Sequence, residues 1–136
     1  MPVMTPQQVL RERSKKFALD ALVLTDQLPN NSKGWVLGKQ LLRSATSVAA
    51  NYRAAGRARS RAEFVAKLGV VVEETDESVF WLELIESAGL LTKDRVDSVL
   101  REANELLRIF SASYRTAQAR VDEARSPDHP ITGSPD

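Results

Sequence analysis

The apolar positions recur at spacings of three, four and seven, and four stretches carry that rhythm. Thr5-Pro6-Gln7-Gln8 sets a capping Thr, a Pro at the first helical position and a Gln three residues past the cap, an N-terminal helix signal. Leu10, Phe17, Ala21, Leu24 and Leu28 then line one face until Pro29-Asn30-Asn31 stops the pattern. After this Asn/Ser/Gly-rich break, Leu41, Ala45, Val48 and Tyr52 form a second stripe, and Gly56 with Arg57 to Ser60 predicts a tight turn. Ser60 and Glu63 form a capping box for a third helix of about 28 residues ending at Gly89, with Phe64, Leu68, Val71, Thr75, Val79 and Leu82 on its inner face. Thr92-Lys93-Asp94 opens a fourth, on which Val96, Val99, Ala103, Leu106, Phe110, Ser113 and Ala117 alternate spacings of three and four. From Ser126 onward three prolines and a glycine replace any periodicity, so residues 126–136 are expected to be a disordered tail.

Four comparable helices joined by short breaks, with no competing strand pattern, predict an all-α fold. The expectation is an up-down-up-down antiparallel four-helix bundle over residues 1–125. The two halves share no self-similarity, which argues against a solenoid. A chain of 136 residues is of single-domain size, and 43% hydrophobic against 27% charged residues is a globular balance.

Cysteine is absent and the only histidine, His129, lies in the Pro-rich tail, which excludes disulfides and thiolate metal sites and points to a reducing, cytoplasmic setting. The longest apolar runs are too short to span a membrane, and the first residues lack the apolar stretch of a signal peptide. A net charge of +1 hides an uneven distribution: residues 33–67 hold eight Lys/Arg and one acid, residues 68–136 seven Lys/Arg and fourteen acids. Such a dipolar chain suits electrostatic association, with nucleic acid or with another copy of itself.

Candidate chemistry is sparse. Gln40, Ser44, Ser47 and Asn51 form a polar ridge beside the core stripe of the second helix; close helix packing explains it, and a ligand groove is the sharper alternative. Ser44 and Ser47 have no histidine to act as base, so no enzyme is expected. Glu73, Glu74, Asp76 and Glu77 make an acidic turn, but di-iron bundles need histidines on the helices, so neither metal nor cofactor is expected. Arg43 is instead expected to be largely buried against Glu74 or Glu77, in a polar network with Gln40 and Asn51. Val70, Phe80, Trp81 and Leu84 give the third helix a second apolar face, with the composition of an oligomer interface. Arg53, Arg57, Arg59, Arg61 and Lys67 cluster about the turn before it and are expected to share one exposed surface. They could be a solvated loop or a phosphate-binding surface, and no aromatic among them could stack a base.

The runs Gln40-Leu41-Leu42-Arg43-Ser44-Ala45-Thr46-Ser47-Val48-Ala49-Ala50-Asn51-Tyr52-Arg53, Ser60-Arg61-Ala62-Glu63-Phe64 and Glu74-Thr75-Asp76-Glu77-Ser78-Val79-Phe80-Trp81-Leu82-Glu83-Leu84 go beyond periodicity. They resemble the bacterial four-helix-bundle family encoded in intervening sequences of 23S (large-subunit) ribosomal RNA genes, a likeness reaching over roughly residues 10–120. The resemblance implies a homopentameric bundle without catalytic residues or cofactor. A related branch serves diversity-generating retroelements as an accessory protein contacting RNA and a reverse transcriptase. Relatives commonly read Arg-Glu-Ala where this chain has Arg53-Ala54-Ala55, so the arginine cluster here is less compensated. The combined expectation is a non-enzymatic oligomer that binds structured RNA through its basic surface and takes no small-molecule substrate. A protein-protein scaffold or retroelement accessory protein with no direct nucleic-acid contact is the alternative.

Overall fold

A computed structural model describes residues 2–125; the predicted tail at 126–136 lies outside the described residues. Four helices follow one another: α1 (Pro6–Thr25), α2 (Ser32–Ala55), α3 (Arg61–Ser87) and α4 (Lys93–Arg125). Each packs on its sequence neighbour, most extensively α2 with α3, and α4 closes the ring against α1 through the thinnest contact. Among the described residues the diagonal helices do not approach each other closely along their backbones and meet only through side chains in the core, so the architecture is the up-down-up-down bundle.

The caps explain the helix ends. Thr5 accepts from the Gln8 amide at 3.1 Å while the Gln8 side chain accepts from the Thr5 amide at 2.8 Å, closing the box that starts α1. Ser60 accepts from the Glu63 amide at 3.0 Å and starts α3. At the far end of α3, Gly89 takes φ +72° and its amide reaches the Glu86 carbonyl, while the Leu90 amide reaches Ile85. That pairing needs a left-handed residue after the cap, which glycine supplies.

Two boundaries differ from the sequence reading. α1 stops at Thr25, and the amides of Gln27 and Leu28 bond to Leu24 and Thr25 in a tightened last turn that still packs Leu28 on the core. α2 begins at Ser32 rather than close to Leu41, because Asn31 caps it by accepting from the Gly34 amide at 3.0 Å. The apparent break is therefore a cap followed directly by helix. Gly34 and Gly38 are buried within it, where the chain turns back beneath Pro29 and Leu28.

The core is continuous along the bundle. Phe17, Leu24, Leu41, Val48, Leu68, Val71, Leu82, Ile85, Val96, Leu106 and Phe110 are nearly inaccessible, and the Tyr52 and Phe110 rings meet at 5.0 Å between centroids. Phe64, expected on the inner face of α3, is only half-buried; Val65 takes the inward place, and Ser78 and Ile85 join the stripe. At the α2–α3 crossing the Ser44 and Ser78 hydroxyls meet at 2.9 Å, each also in reach of a carbonyl of its own helix. Small hydroxyl residues there let the two helices approach while leaving no buried side-chain nitrogen or oxygen unpaired among the described residues. Among the same residues, no helix is long and apolar enough to cross a membrane.

Candidate nucleic-acid interface

The five cations expected to act together all lie at one end of the bundle, but the structure divides them among three grooves. A helix turns by about 100° per residue, so only residues three or four apart share a face. Arg53, in the last turn of α2, and Arg57, in the turn that follows, line a groove between α1 and α2. Arg59 and Lys67 border the α2–α3 groove with Asn51, Glu63, Ala66 and Val70, and the Arg59 Nε lies 3.7 Å from a Glu63 carboxylate oxygen. Arg61 faces α4 instead, beside Phe64, Ala117 and Arg120. The cations thus border three grooves at that end of the bundle rather than lining one.

What the α1–α2 groove lost in Arg59 and Arg61 it regains from the other helix. Arg11 and Lys15 of α1 stand across from Arg53 and Arg57, with Glu12 the one acid present, and the groove encloses about 590 Å³. Its floor is Ala18, Thr46, Ala49 and Ala50, side chains short enough to keep it open. Four cations against one carboxylate leave a net charge of +3 around it. Arg11 and Lys15 escaped the sequence reading because they are far from the arginine cluster in the chain. The antiparallel α1–α2 hairpin brings them together.

The polar ridge of α2 also resolves differently. Arg43 bonds Glu74 at 3.0 Å and also bonds Glu77, the two carboxylates expected, yet its side chain is 47% exposed rather than buried. The reason is its position one residue before Ser44, which occupies the inward place at the crossing and leaves Arg43 to reach over the rim. Asn51 is half-buried and bonds the Ser47 carbonyl of its own helix at 2.9 Å; Gln40 is half-buried on the same edge. No buried network joins them to Arg43; the buried polar contact is Ser44 with Ser78. The Arg43 guanidinium is held further towards its charged form by Glu74 and then Glu77. Glu77 is held below the usual carboxylate range, first by the Trp81 indole N–H at 3.2 Å and then by Arg43.

Of the second apolar face, Phe80 is 52% and Val70 38% exposed, whereas Trp81 and Leu84 are half-buried. The Phe80 and Trp81 rings meet edge to face at 5.0 Å. Leu84 lines an apolar hollow of about 380 Å³ with Val36, Leu37 and Ala88. Val36 is 58% exposed at this hollow, and Trp35, its neighbour on α2, is 62% exposed. They were overlooked because they fall inside the supposed break. No group of three or more acids among the described residues is placed to hold a metal ion.

The sequence pattern of the 23S rRNA-intervening sequence protein family matches residues 7–112, from the first turn of α1 into the middle of α4. The chain belongs to that family. The match takes in every residue of the α1–α2 groove and of the apolar face. Among solved structures, a protein of unknown function from the S23 ribosomal protein family of Bacteroides thetaiotaomicron VPI-5482 is 33% identical in sequence. It superposes with a TM-score of 0.72 over 77% of this chain and 97% of that one. No curated protein matches.

Proposed function

We propose that this family member is a non-enzymatic, cytoplasmic bundle that binds RNA through its basic end and works as an oligomer. The observation that carries the reading is the meeting of Arg11 and Lys15 with Arg53 and Arg57 around one open groove. None of these four is engaged by a carboxylate in an ion pair among the described residues, so their charge is directed at solvent. Arg and Lys so arranged serve phosphate oxygens, which position a nucleic acid without reading its sequence. The hydroxyls of Ser44 and Ser78 are spent on each other and on helix carbonyls, which leaves no activated nucleophile there. Titrating binding of a structured RNA hairpin against salt tests the reading. Phosphate contacts predict a log affinity falling linearly with log salt, at about 0.9 per phosphate on duplex. A flat dependence, or no binding at low salt, refutes it.

The apolar surface supports the oligomer. Phe80 is exposed one turn before Leu84 on α3, Val36 is exposed beside Leu84 in the apolar hollow, and exposed apolar surface of this kind marks an interaction site. Five copies is the number the family resemblance implies. Light scattering gives the mass directly, and a 15.1 kDa particle at tens of micromolar excludes self-assembly through this face. An oligomer that ignores RNA would favour the scaffold reading.

A further inference from the structure

Resting on the RNA reading, we infer that the α1–α2 groove is a track for the phosphate backbone of a single nucleic-acid strand, with the bases turned outward. Arg11 and Lys15 are four residues apart on α1, about 6 Å along its axis, and stand across from Arg53 in the last turn of α2 and Arg57 in the turn that follows it, so each wall carries two cations. That interval is comparable with the separation of successive phosphates along one strand. Two facing pairs therefore suit a short run of consecutive phosphates lying along the groove.

The shape favours one strand over a duplex. The walls are neighbouring helices, whose axes in packed bundles stand about 8–10 Å apart, and the space between them is a concave channel. A duplex is a convex rod wider than that channel and would touch only the rims. The floor of Ala18, Thr46, Ala49 and Ala50 allows close approach of a backbone yet offers no ring for a base to stack on. With the four cations directed at phosphate, only Thr46 and Glu12 remain to bond a base edge, so the groove distinguishes phosphate from other chemistry but not one base from another. An acidic peptide helix fits less well, because the floor has none of the large apolar or aromatic pockets that anchor such partners.

The test uses the full chain and fluorescent 12-nucleotide oligo-uridine and oligo-cytidine, with an RNA duplex of equal length and a poly-glutamate peptide as rivals. Wild type should bind both oligonucleotides within about twofold of each other. The triple variant Arg11→Gln, Lys15→Gln, Arg53→Gln should flatten the log–log salt slope by about 2, at 0.7 per lost contact on single strands. The variant Arg59→Gln, Arg61→Gln, whose positions line other grooves, should leave the slope within 0.7 of wild type, about one contact on the same scale. Circular dichroism confirms that both variants fold. A hairpin bound by wild type but equally well by the triple variant overturns the groove and leaves the RNA reading standing. Failure of wild type to bind any RNA removes both. Tighter binding of the duplex than of the oligonucleotides, or binding of poly-glutamate in their place, also overturns the inference.

Discussion

Gly34→Ala is a one-carbon change that should destabilise this bundle through its first hairpin. A Cβ built at Gly34 lies 2.0 Å from the Pro29 carbonyl oxygen, where ordinary contact requires well over 3 Å. Relief means moving one backbone from another by about 1 Å, and neither side is free to move. The Pro29 carbonyl accepts from the Asn31 amide at 3.0 Å, and the Gly34 amide donates to the Asn31 cap at 3.0 Å. Shifting them forfeits about 1 kcal/mol for the cap and about 1 kcal/mol for the turn bond. Overpacking adds about 1–3 kcal/mol, against which the better helix propensity of Ala returns less than about 1 kcal/mol. The net cost is about 2–4 kcal/mol, and at about 4 °C per kcal/mol for a domain of this size the melting midpoint should fall by about 8–16 °C. Gly38→Ala is the internal control, since its Cβ meets only the flexible end of Leu28 at 3.0 Å and gains helix propensity; its midpoint should stay within about 4 °C of wild type. Thermal melts followed by circular dichroism at 222 nm decide the matter. A Gly34→Ala protein melting within 2 °C of wild type would show that the α1–α2 turn does not sit as described.

Arg43→Ala should cost about 1–2 kcal/mol, not the larger sum of a buried pair, because Arg43 is half exposed while Glu74, 15% exposed, is left without its partner; urea melts check this, and a loss above about 4 kcal/mol would restore the buried reading. Glu77 and Glu105 are both held below the ordinary carboxylate range in the folded protein, Glu77 by Trp81 and Arg43 and Glu105 by Arg108. A depressed folded value adds stability above the unfolded value of about 4.3 that is lost as pH falls through the folded one. The melting midpoint should therefore be level near neutrality and decline below about pH 4, with a shallower decline in Glu77→Gln; an identical acid limb in that variant would refute the assignment.

The four stripes were legible because each helix buries one face and hydrophobic spacing records that directly; Leu41, Ala45, Val48 and Tyr52 are all buried as the pattern required. Thr5 and Ser60 were legible as caps for the same local reason. Asn31 was not, since Asn-Asn-Ser reads equally as a loop, and only the return of the chain under Pro29 shows why two glycines follow it inside a helix. The candidate site was read through adjacency: Arg53 to Arg61 are neighbours in the chain, but the end of α2, the turn after it and the start of α3 direct them to different grooves. Up-down topology could have supplied the missing half. In an antiparallel hairpin residue numbers run in opposite directions, so a groove holding Ala18 and Thr46 at one level brings Arg11 and Arg53 together at another. The exposure of Arg43 could not be read from composition, because it depends on which of two adjacent residues points inward at a crossing.

The thin seam between α1 and α4 has a kinetic meaning. α1 is held broadly on one side only, by α2; on the other side the Arg13 guanidinium grips the Glu102 carboxylate at 2.7 and 3.1 Å, both side chains about one-third exposed. An exposed pair of this kind contributes little, so α1 is the helix whose amides should exchange with solvent soonest, through openings that leave α2, α3 and α4 assembled. The cationic groove exists only while α1 is docked, because Arg11 and Lys15 form one of its walls. Any anion lodged there binds the docked form alone and slows those openings in proportion to its occupancy. Protection of α1 in hydrogen exchange would thus report what fills the groove, even for a ligand too small or too weak to register by other means.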